Sequence, residues 1–156
     1  GGLGSGAVPA FLLAYGLGMV AGTWVAGELA DRSVMRALFV GSIGMGLSLL
    51  AFYVVAPAGW WGMPAVFAIA VMASVLAVNL QLRLMTVAGK AQTLGAAMNH
   101  ASLNTANALG AWLGGLVIAG GLGYRAPALV GAALSVFGLG VLIVSAALER
   151  RTAADA

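Results

Sequence analysis

Charged side chains are scarce in this chain. Lysine, arginine, aspartate and glutamate make up 7% of its 156 residues, where a soluble domain carries roughly 25%. Seven cations and four acids cannot coat a protein of this size, so a water-soluble globule is excluded. The cations stand singly or in pairs, and the formal charge of +3 forms no nucleic-acid footprint. Cysteine is absent, and with it go disulfides, thiolate metal sites and cysteine nucleophiles. No metal site and no cofactor are expected. An embedded enzyme would need H-E-x-x-H, a Ser–His dyad beside a Gly-rich oxyanion site, or paired intramembrane aspartates. None occurs: His100 is the sole histidine, and Asp31 and Asp155 both lie outside the predicted helices.

What the chain does have is hydrocarbon. Hydrophobic residues reach 62% and the mean hydropathy is +1.06, which makes the lipid bilayer the solvent. A helix needs about 20 mostly apolar residues to cross roughly 30 Å of acyl chain. Five runs qualify, over about 9–30, 37–56, 64–84, 94–119 and 127–148. All four prolines fall at predicted ends: Pro9, Pro64 and Pro127 in first turns, and Pro57 just past a C-terminus. The separators Asp31-Arg32-Ser33, 58–62 and 120–123 are short and turn-like, which sets neighbouring helices antiparallel. A β-barrel would need ten-residue segments of alternating polarity, and none is present. The fold class is therefore all-α, a polytopic membrane protein of five transmembrane helices.

Arg32, Arg36, Arg83, Lys90, Arg150 and Arg151 share one face of this topology, and Arg125 alone lies on the other. The positive-inside rule places the six in the cytoplasm, with the N-terminus of the segment outside and its C-terminus inside the cell. Trp60 and Trp61 suit an aromatic anchor at the outer interface. The opening Gly-Gly-Leu-Gly-Ser-Gly has neither an initiator Met nor a charged signal region. We therefore expect the chain to be the C-terminal piece of a larger protein.

Helices in lipid pack through small residues and a few polar ones. Gly18 with Gly22, and Gly110 with Gly114, form G-x-x-x-G steps suited to helix contact. The second and fifth helices hold nothing more polar than Ser42, Ser48, Tyr53, Ser135 and Ser145, and read as lipid-facing. The third ends with Asn79, Gln81 and Arg83, the last expected to snorkel to the interface. The fourth carries Asn99, His100, Asn104 and Asn107, of which the last three recur at i, i+4 and i+7 and so share a face. Such a stripe is unfavourable against acyl chains and should point into a bundle, either to hydrogen-bond another helix or to wall a hydrated solute pathway.

The turn after the first helix reads Gly27-Glu28-Leu29-Ala30-Asp31-Arg32-Ser33-Val34-Met35-Arg36. It resembles the G-x-L-A-D-R-x-G-R-[RK] loop of the major facilitator superfamily, departing where Val34 and Met35 replace the Gly-Arg step. The match covers Gly27, Asp31, Arg32 and Arg36, and in that family the Asp and the basic residues form cytoplasmic contacts that hold one state of the transport cycle. The run Ala97-Met98-Asn99-His100-Ala101-Ser102-Leu103-Asn104 through Gly114-Gly115 is similar to the eleventh helix of the drug:proton antiporter branch, which includes sugar-efflux and chloramphenicol-export proteins. Gly123-Tyr124-Arg125-Ala126-Pro127 resembles the turn that follows it.

The resemblance implies that residues 1–156 are a partial C-terminal transmembrane domain, helices eight to twelve of twelve, in the inner membrane. It implies alternating-access, proton-coupled efflux of a small amphiphilic solute, with the missing N-terminal half supplying the opposite wall. Tyr15, Asn79, His100, Asn104 and Asn107 are then the candidates for the substrate pathway. A facilitator-type uptake permease and a non-catalytic membrane assembly subunit stand as alternatives.

Overall fold

The computed structural model describes residues 4–154; Gly1, Gly2 and Leu3 of the opening run, and Asp155, lie outside the described residues. Among those described there is no strand. The helices are α1 (Val8–Arg32), α2 (Val34–Val55), α3 (Gly62–Ala88), α4 (Gln92–Ala119) and α5 (Ala126–Ala154). Three helical stretches are long and apolar enough to cross a membrane: Val8–Arg32, Val34–Ala119, which is kinked at Gly59 and Gly89, and Ala126–Arg151. The second contains α2, α3 and α4, joined by 3₁₀ turns over Ala56–Trp61 and Gly89–Ala91.

The ends follow from local chemistry. The α1–α2 connection is a single extended residue, Ser33, whose backbone N–H caps Leu29 O and whose Oγ accepts from the Arg36 N–H at 3.3 Å. Asp31 and Arg32 therefore belong to the last turn of α1 rather than to a loop. Gly59, Gly89, Gly121 and Gly123 take positive φ, the backbone region where a side chain would be strained. At the Ala56–Trp61 turn the Trp60 ring stacks on Phe11, centroids 6.1 Å apart, fastening the start of α1.

Helix α3 is the axis of the bundle. It packs against α1, α2 and α4, while α2 also meets α1 and α5, and α4 meets α5. The α1–α3 seam is the tightest. A Cβ at Gly18 would lie 2.6 Å from Phe67 O, and one at Gly22 would lie 2.6 Å from Val71 O. Glycines four apart thus let the two backbones touch. Ser74 Oγ donates to Met19 O across the same seam at 3.2 Å.

The expectation that α2 faces lipid holds for one side of it: Val40, Ile43, Leu47 and Val54 are exposed, while Ala37, Leu38, Gly41 and Ser42 are buried and the helix packs against α1, α3 and α5. Polarity did not mark the packed side, because small residues such as Gly41 bury a helix face in lipid without polar atoms. Helix α5 packs against α2 and α4, and most of its apolar side chains are exposed.

Gly22→Ala should destabilise the protein by about 1–3 kcal/mol, the usual cost of overpacking. Gly16→Ala, with nothing within 4 Å of its Cβ position, should be neutral or mildly stabilising because alanine is the better helix former. Thermal unfolding of the two variants in detergent, side by side, checks the contrast.

Candidate solute-pathway wall

The α1–α2 connection is built so that only part of its charge is satisfied. Arg32 pairs with Glu28 at 3.4 Å, both side chains largely exposed. That i,i+4 geometry contributes about 0.3–0.5 kcal/mol. Asp31 and Arg36 are exposed and have no ion pair among the described residues. Gly27 has open space around it.

The pathway candidates separate into three environments. Tyr15 is 40% exposed. It stands in an apolar cleft of about 360 Å³ with Ala7, Val8, Phe11, Leu12 and Val66, between α1 and α3. Asn79 is fully buried at the other end of the same seam, where its Nδ2 donates to Ala26 O of α1 at 3.3 Å and to Val75 O of its own helix at 2.9 Å. It ties α3 to α1 beneath the Gly27–Arg36 turn and lines no open surface. His100, Asn104 and Asn107 are all exposed.

The stripe thus points out of the five-helix unit rather than into it. Two contacts orient α4. Gly95 approaches Leu84 and Ala88 of α3, and Gly114 approaches Pro127 of α5. At roughly 100° per residue, Asn107, His100 and Asn104 fall about 20–80° beyond Gly114, on the flank away from α3. The opposite flank carries Ser102 and Thr105, with Met98, Ala101 and Leu109, beside a surface hollow of about 400 Å³. The buried polar residue of the helix is Asn99, which is 0% exposed. The i, i+4, i+7 spacing identified a shared face correctly but could not say which face meets α3.

Two further ties were not legible from spacing. Arg83 forms an ion pair with Glu149 of α5, so it does not simply snorkel. At the other end of the bundle, Arg125 lies 5.2 Å from the centre of the Tyr53 ring and donates to Tyr53 O at 3.4 Å. Among the described residues, no group of three or more His, Asp or Glu side chains could hold a metal ion.

No family model and no solved structure matches the chain. Curated proteins do. The chain is 34% identical over 153 residues to the inner membrane transport protein YdhP of Escherichia coli O157:H7, a match covering 93% of this chain and 37% of that protein. The strain K12 protein of the same name is 32% identical over 145 residues, with the same coverage. The MFS-type transporter YfhI of Bacillus subtilis (strain 168) is 33% identical over 112 residues, covering 70% of this chain and 28% of YfhI. The chain thus spans about a third of the length of these relatives.

Asn79→Ala should lower stability by about 1–3 kcal/mol, since it removes a buried interhelical hydrogen bond. His100→Ala, at an exposed position, should shift it by no more than about 0.5 kcal/mol. Melting temperatures of the two variants in one detergent test the difference.

Proposed function

Because the chain belongs to the major facilitator superfamily, we propose that it is the C-terminal part of a twelve-helix secondary-active transporter, contributing helices eight to twelve. The cargo we propose is a small amphiphilic solute, drug or sugar-like, exported in exchange for protons by alternating access. In that scheme two halves rock about a midplane site, each supplying one wall. The wall in this reading is formed by α1, α3 and α4, with Tyr15 in its apolar cleft and Ser102 and Thr105 beside the separate hollow on α4. His100, Asn104 and Asn107 belong to the surface that the rest of the transporter covers, because carboxamides and an imidazole facing acyl chains are disfavoured.

The observation that carries the reading is the charge left over at the α1–α2 connection. Glu28 occupies Arg32, while Asp31 and Arg36 stay exposed without ion pairs among the described residues. Groups of opposite sign held at a helix terminus and left uncommitted suit contacts to another part of the transporter, made in one state and broken in the other. The orientation that puts this connection in the cytoplasm is part of the proposal and rests on the distribution of cations.

A charge-assisted hydrogen bond contributes about 1.5–3 kcal/mol. Asp31→Asn in the full-length transporter should therefore slow reconstituted export about tenfold or more, with membrane protein levels unchanged. Export at the normal rate would refute the role assigned to the connection. Absence of any flux from the unmutated protein would favour an assembly subunit instead.

A further inference from the structure

Four of the helices close into a ring, since α2 meets α3, α3 meets α4, α4 meets α5 and α5 meets α2. Across the ring, α3 and α5 do not pack backbone against backbone, and the Arg83–Glu149 ion pair links them. Arg83 sits one residue before Leu84, where α4 comes closest: a Cβ at Gly95 would lie 2.9 Å from Ala88 Cβ and 3.1 Å from Leu84 O. One turn along α4 from Gly95, about 6 Å by the helical rise, stands Asn99. By register it falls between the direction of Gly95 towards α3 and that of Gly114 towards α5, about 40° from one and 60° from the other. It is fully buried, and neither its Oδ1 nor its Nδ2 has a hydrogen-bond partner.

These two features oppose each other. A buried carboxamide with donor and acceptor both unpaired disfavours the closed packing that buries it. The ion pair favours the same packing, by joining α3 to α5 at the end where α4 is drawn in. Resting on the transporter reading above, we propose that this end of the ring is a gate with two closely matched states. The Arg83–Glu149 pair latches it shut, and the unpaired Asn99 amide lowers the barrier to opening because it gains hydrogen bonds only when the α3–α4–α5 junction loosens. Asn99 and the ion pair are thus positioning residues of the transport cycle rather than solute ligands.

The test uses the full-length transporter in lipid, in a cysteine-free background, with Leu103→Cys placed one turn beyond Asn99 on the same side of α4. Leu103 is only half-buried, so maleimide labelling of the thiol reads opening of the junction. Glu149→Gln should accelerate labelling about tenfold, and the charge swap Arg83→Glu with Glu149→Arg should restore the original rate, as expected for a partly buried pair. Asn99→Leu should slow labelling about tenfold and raise the melting temperature, because it removes an unsatisfied amide from the closed state. Labelling that responds to none of these changes, or an Asn99→Leu protein that melts lower and labels faster, overturns the gate. Labelling needs no flux, so a protein that transports with labelling unmoved refutes the gate alone. One that fails to transport while labelling shifts as expected refutes the function alone.

Discussion

Helices surrounded by lipid gain no hydrophobic free energy from touching one another, because an acyl chain is as apolar as a leucine. Close approach must supply the attraction, and in this bundle it begins where Gly18 and Gly22 bring the α1 backbone against Phe67 and Val71 of α3. With no Cβ between them, the two helices exchange dispersion contacts along a whole seam. Ser74 and Asn79 then add hydrogen bonds to the carbonyls of Met19 and Ala26. The rest of the architecture hangs on this pairing. Helix α3, held against α1 on one side, presents Leu76 and Val75 to Gly41 of α2, and Leu84 and Ala88 to Gly95 of α4. Each contact repeats the same solution, a glycine on one helix opposite a larger group on the next.

That dependence explains which features were legible in the sequence. The all-helical class, approximate helix ends and the turns came from apolar run length and from proline and glycine placement, which act locally. Burial did not. Polarity assigned α2 to the lipid, which holds for its Val40, Ile43 and Leu47 side, while Ala37 and Gly41 mark the side that packs. The same limit applies to α4. Asn99 and His100 are neighbours in sequence and about 100° apart on the helix, and only the contacts at Gly95 and Gly114 decide which is enclosed. The Arg83–Glu149 tie joins residues 66 positions apart, beyond any local pattern.

The candidate site was legible in composition more than in placement. Residues 27–36 resemble the family loop at Gly27, Asp31, Arg32 and Arg36, and the structure adds a division of labour among their charges, with Arg32 engaged by Glu28 and Asp31 exposed. Asn79, chosen for its polarity at bilayer depth, satisfies α1 instead of facing an opening. Intramembrane polarity marks a place where something must be hydrogen-bonded. It does not distinguish a solute from a neighbouring carbonyl.

What then argues for a partner beyond these five helices is the polarity that is left uncovered. A self-sufficient bundle in lipid turns its carboxamides inward, as α3 does with Asn79. Helix α4 does the reverse with His100, Asn104 and Asn107, and its Gly110 and Gly115 have nothing within 4 Å to pack against. Exposed polar groups and unmatched small residues on one helix are the two ingredients of a membrane helix interface. Their coincidence on α4, in a chain that matches about a third of its relatives' length, supports the proposed transporter, whose remaining helices would cover that surface.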